Sequence, residues 1–222
     1  MWQKIYDELK DQDFIVIAVA MDSEIEAARP WIEVAAPDYL ALIDRDHRVA
    51  ELYNMVNVPQ AVWIDEAGTI ARPAENAGAY EGFRAMDLET WTMPDDELAT
   101  TVKAQATYIE AVADWVREGA SCDHLFDADK ARAHTAVPDE EIAQAHCHFH
   151  LGQYLLRHGR AAEAEKHLAE ASRLHPTSWN IWRQAAKKNE TGLAASAEFW
   201  ARVEALGDDH YYPPVDMAGM PK

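Results

Sequence analysis

His146 and His150, in the run H-C-H-F-H, come closer than any other pair in this chain to the spacing of a metal site. Residues i and i+4 of a helix share one face, and imidazole is a common ligand for zinc-like ions. No third ligand lies nearby in the sequence, and Cys147 and His148 project elsewhere on the same helix. The favoured reading is histidines packed between helices, with no metal and no cofactor expected. Cys122 and Cys147 are the only cysteines, and they form no C-x-x-C, so they supply neither a disulfide framework nor a thiol redox motif. They could form a disulfide with each other, but buried or idle thiols are the expected state. Asp22 closes an apolar run where a strand's carboxyl end can meet a substrate, but capping the next turn is its expected use. No catalytic residue is assigned.

These residues need elements to hold them. Trp2, Ile5, Tyr6 and Leu9 fall at i, i+3, i+4, i+7 and predict an amphipathic helix at the start of the chain. Phe14 to Ala20 is a continuous apolar, β-branched run, the pattern of a strand buried on both faces of a parallel sheet. Ser23 with Glu26 reads as a capping box for a helix striped by Ile25, Ala28, Ile32 and Ala35, kinked or restarted at Pro30. Tyr39 to Ile43 is a second strand, His47 to Met55 a short helix, and Ala61 to Ile64 a third strand. E-A-G-T then turns the chain back into Thr69 to Arg72 as a hairpin. Pro59, which cannot donate to a ladder, stands where the third strand begins, and a cis Val58-Pro59 bond would make the tight corner there.

This β-α-β-α-β-β order, with D-F-I-V-I-A-V-A-M-D, L-I-D-R-D-H-R-V-A-E-L-Y and N-V-P-Q-A-V-W-I-D-E-A-G-T-I, resembles the thioredoxin fold, and more closely the TlpA/ResA-like redoxins of AhpC/TSA type. The resemblance implies an α/β thioredoxin-like unit, incomplete at its N-terminus, whose substrates dock against Val58 and Pro59 with Trp63 on the strand behind. In that family the redox centre opens the helix that follows the first strand, and here that helix is represented only from Met1 on. Thiol exchange needs a thiolate or selenolate, so the chain as given is expected to be redox-inactive. A finer resemblance is to a ResA-like subgroup with W-A-x-x-U-G-S, a redoxin body and helical repeats. It implies that the reading frame upstream of Met1 encodes the strand and a selenocysteine or cysteine turn.

Residues 73 to 94 lack periodicity and read as a connecting loop whose aromatics, Tyr80, Phe83 and Trp91, could line a substrate groove, with pinning the loop to the domain as their expected use. From Pro94 a long helix is predicted, apolar at Leu98, Val102, Ile109, Val112 and Val116 and ended by Gly119. Further on, Leu151, Gly152, Ala164, Leu168, Ala171 and Pro176 fit the seventh, eighth, twentieth, twenty-fourth, twenty-seventh and thirty-second places of a 34-residue tetratricopeptide repeat. A second, degenerate unit starts near Trp179. Two units cannot bury their own faces, so the long helix from Pro94 and the sheet are the expected cover.

The expected division is 1-75 thioredoxin-like, 76-94 connecting loop, 95-138 long helix and linker, 139-206 tetratricopeptide-like repeats and 207-222 tail. Lys and Arg number 20 against 39 Asp and Glu, a net charge of −19, which disfavours nucleic acid and anionic membrane surfaces. No apolar run approaches the roughly 20 residues of a membrane span, and M-W-Q-K-I-Y-D-E-L-K lacks the pattern of a secretory signal, so a cytoplasmic location is expected. The leading expectation is a member of a thiol or selenol redoxin family, a disulfide or peroxide oxidoreductase in intact form and inactive as given; the alternative is a non-catalytic module that binds a protein or peptide through the proline corner or the repeats.

Overall fold

A computed structural model describes residues 1–135, 137–189 and 192–221. In chain order its elements are α1 (Trp2–Leu9), β1 (Ile17–Ala20), α2 (Ile25–Ala35), β2 (Leu40–Ile43), α3 (Arg48–Leu52), β3 (Gln60–Ile64), β4 (Ile70–Asn76), α4 (Asp95–Glu118), α5 (Ala128–His134), α6 (Glu140–Arg157), α7 (Ala161–Leu174), α8 (Trp179–Ala185) and α9 (Ala197–Glu204). They gather into two compact units. One takes Met1–Val16, Pro59–Ala131 and the chain from Glu198 on; the other takes Ile17–Val58 and Arg132–Ala197.

In the first unit β3 and β4 form the expected antiparallel hairpin, turned at Gly68, whose φ of +80° lies in the left-handed region that glycine enters without strain. β4 runs on to Asn76, past the point where a loop was expected. Ala61 pairs with Glu75 and Trp63 with Arg72, so Pro73 and Ala74 together face one residue of β3. At such a bulge the missing proline N–H costs no ladder bond. α4 begins after Pro94 with Asp95, Asp96 and Glu97 in its first turn, where carboxylates offset the positive end of the helix dipole, and it ends at Gly119.

The buried face of α4 meets the expected one in its second half, where Val112 is buried and Ile109 and Val116 pack against the core, and departs from it in the first half. Ala104, Tyr108, Ala111 and Val112 are inside, while Leu98 and Val102 are exposed. Small residues decide this, because they let backbones approach. A Cβ on Gly78 would stand 3.1 Å from the Cα of Gln105. Around that face pack Ile5 and Leu9 of α1, Trp63 of β3, and Val215 and Met220 of the C-terminal segment. Trp63 is therefore core: its ring stacks on Trp115 at 5.1 Å and its Nε1–H donates to Tyr108 Oη at 2.9 Å. Phe83 pins the loop, lying among Phe199, Trp200, Tyr211 and Tyr212, and Tyr80 packs against the core, while Trp91 is largely exposed.

In the second unit β1 and β2 pair in parallel, Ile17 opposite Leu40 through Ala20 opposite Ile43, with α2 as the crossover. β1 is shorter than its apolar run, and Ile17 is exposed where burial on both faces was expected; Leu40 and Leu42 of β2 are exposed as well. Among the described residues the four strands make two two-stranded sheets, where one continuous thioredoxin-like sheet was expected. The backbone just before β3 is engaged by α8 instead of by a ladder: Met55 and Val56 carbonyls accept from Asn180.

The start of α2 also corrects the sequence reading. Ser23 Oγ donates to Gln184 Oε1 at 3.1 Å, and the N-cap position falls to Glu24, which makes no capping bond. Asp22 is half-buried, and burial raises its carboxyl pKa against the pull of Lys188. Pro30 is accommodated inside one helix that runs from Ile25 to Ala35. α3 is capped by Asp44, whose carboxylate accepts from the N–H groups of Arg48 and Val49 at 3.0 and 2.6 Å.

Candidate protein-docking site

Val58 and Pro59 are the residues that the redoxin resemblance marks for substrate. In the second unit, the stretch leading to Val58 is held by α8. Asn180 Nδ2 donates to the Met55 carbonyl and Arg183 to Asn57 Oδ1, each at 2.8 Å, and the Val58 N–H donates to the same Asn57 oxygen at 2.9 Å. Asn57 is buried while the Val58 side chain is exposed. In the first unit, Pro59 precedes β3, and its carbonyl accepts from the Ala77 N–H at 3.2 Å, prolonging the hairpin by one bond. Cys122 is buried, and burial pushes its thiol pKa up, away from the reactive thiolate. Cys147 is an exposed thiol in the middle of α6, and the two cysteines are unpaired with each other.

The repeat helices form a better-defined surface. Asp139 caps α6 by accepting from the Ile142 N–H, and the chain reverses at Gly159 into α7. Phe149 of α6, Leu168 and Ala171 of α7 and Ile181 of α8 form a shared core. Gly152 is where the two long helices meet most closely, since a Cβ there would lie 2.7 Å from Leu168 Cγ. Beside this contact His148 Nδ1 and His167 Nδ1 share a hydrogen bond at 2.9 Å.

Opposite the buried face of α6, Cys147, Leu151, Tyr154 and His158 fall at i, i+4, i+7 and i+11, one exposed stripe. Leu151 is 43% and Tyr154 50% exposed, and the Tyr154 ring stacks on His158 at 4.0 Å between centroids. An amphipathic aromatic and an aliphatic side chain held on a rigid helix can anchor a protein segment without losing much side-chain freedom. The sequence alone does not show the stripe, because repeat register accounts for Leu151 and nothing in the types or spacing of Tyr154 and His158 marks them for contact. The register itself is met: Ala164, Leu168 and Ala171 are buried and α7 stops just before Pro176. His146 and His150 do share a face of α6, and the carboxylate of Glu51 lies beside them.

A tetratricopeptide repeat family model matches residues 145–187, which takes in most of α6 and all of α7 and α8. No curated protein and no solved structure matches the chain. Among the described residues, no helix is long and apolar enough to cross a membrane.

Proposed function

We propose that this chain is a protein-binding module whose docking surface is the exposed stripe of the tetratricopeptide-like pair, centred on Leu151 and Tyr154. The carrying observation is the repeat match over α6 to α8 together with an apolar stripe left uncovered on α6. Repeats of this class commonly serve protein–protein contact, and the net charge of −19 favours a basic segment over an acidic one. A photo-reactive residue at position 151 or 154 is expected to trap a discrete protein, whereas the same group at Glu66 on the hairpin turn traps none. Leu151→Glu should abolish the capture while circular dichroism stays unchanged. Capture at 151 and 66 alike, or capture indifferent to Leu151→Glu, would sink this reading.

The redoxin resemblance offers a second reading, supported by the parallel β1-α2-β2 unit and by Pro59 leading into β3. On that reading Val58 and Pro59 bind an extended peptide in a shell without its nucleophile. Catalytic reduction of insulin disulfides or hydrogen peroxide is then not expected from this chain. Turnover that vanishes with Cys122→Ser or Cys147→Ser would place an active site where this reading has none.

A further inference from the structure

Glu51 and His150 are 99 positions apart in the chain, yet His150 Nε2 lies 3.1 Å from Glu51 Oε2. His146 stands one turn earlier on the same flank of α6, and ligand atoms of Glu51, His146 and His150 all lie within 4.8 Å of one another. All three residues are half-buried, so the cluster is shielded yet open on one side. Two further imidazoles border it. His47, only 4% exposed, sets its ring edge-on to Phe149 with neither nitrogen partnered among the described residues, and the His175 ring stands 5.9 Å from that of His146. Interhelical packing alone does not account for this, since buried imidazoles normally find hydrogen-bond partners and a His–Glu bond needs one histidine.

We propose that Glu51, His146 and His150 bind one divalent transition-metal ion of the zinc class, clipping α3 to α6. Two imidazoles and one carboxylate are a set suited to Zn²⁺ and its neighbours and poorly suited to Ca²⁺ or Mg²⁺, which take oxygen ligands. With metal–ligand bonds of about 2.0–2.2 Å, tetrahedral ligand atoms lie about 3.3 Å apart. The Glu51–His150 pair already has such a separation at 3.1 Å, and the other separations, none above 4.8 Å, need close by no more than about 1.5 Å. The exposed side leaves a fourth position for water. Arg48 Nη1 donates to the same Glu51 oxygen at 2.9 Å and so fixes the orientation of the carboxylate. This site is independent of whether the stripe on α6 binds a protein.

The test uses the full chain, free of any affinity tag and stripped with a chelator. Calorimetric titration with Zn²⁺ should show one ion per chain and a raised melting temperature, and Co²⁺ should give the intense visible bands of a four- or five-coordinate site. Glu51→Gln, His146→Ala and His150→Ala should each weaken binding by at least the roughly 10–100-fold that loss of a mere supporting partner of a metal ligand costs. His148→Ala with His167→Ala should leave it unchanged. X-ray absorption of the zinc-loaded wild type should report imidazole in the first shell, a readout that needs no variant to fold. Absence of one-to-one binding, binding indifferent to Glu51→Gln and His146→Ala in folded variants, or a shell without imidazole overturns the proposal.

Discussion

Arg72 shows how single residues carry the first unit. It is 1% exposed, forms a two-pronged pair with Glu75, donates to the carbonyls of His124 and Asp216, and lies between the rings of Trp63 and Phe126. Nothing in a strand that contains a proline announces a buried arginine. Arg72→Leu should cost about 3–5 kcal/mol in urea unfolding, because it strands a largely buried carboxylate, and the double variant with Glu75→Leu should recover part of that loss. Tyr108→Phe keeps the ring but orphans the Trp63 N–H, with an expected cost of about 1–3 kcal/mol by the same measurement. The thiols separate as cleanly. Under native conditions one equivalent, Cys147, should react promptly with a thiol reagent, and Cys122 only after denaturation; equal rates would contradict the burial of Cys122.

Among the elements, the α6–α7 pair was legible because its small and large residues recur at fixed offsets that only a close helix pair explains. Gly152 tests that explanation. Alanine is the better helix former by about 1 kcal/mol, but its Cβ would meet Leu168 Cγ and Cδ2 at 2.7 and 2.8 Å inside the core. Overpacking of this kind costs about 1–3 kcal/mol, so Gly152→Ala should lower the melting temperature, and Leu168→Val should restore part of it in the double variant. A stabilised Gly152→Ala would mean that the helices are further apart. α4 was harder to read. Its length and ends are marked by Pro94, three acidic residues and Gly119, but its buried side follows the small Ala104 and Ala111 rather than the larger Leu98 and Val102. A hydrophobicity pattern counts apolar area and is blind to how closely a neighbour's backbone can come.

In the whole molecule, each compact unit draws on separated stretches of chain, so neither can be cut out as a single segment. The repeat helices of the second unit are covered in part by Ile17–Val58, through His47 on Phe149, Asp46 with Arg157, and Met55 with Asn180. Residues 132–197 expressed alone should therefore melt without cooperativity, and a cooperative melt at the full chain's temperature would refute this dependence. Local order was written in the sequence: the α1 stripe, the parallel β1-α2-β2 crossover, the hairpin at Gly68 and the repeat register each follow from periodicity and turn chemistry within some thirty-odd residues. The partners across longer distances were not. That β3 and β4 pair only with each other among the described residues, that Asn180 grips the backbone before Val58, and that Glu51 stands beside His146 and His150 all depend on which surfaces meet. Side-chain type constrains what a residue can do, but its neighbours are chosen by the burial of whole faces, a property summed over the chain and carried by no short stretch of it.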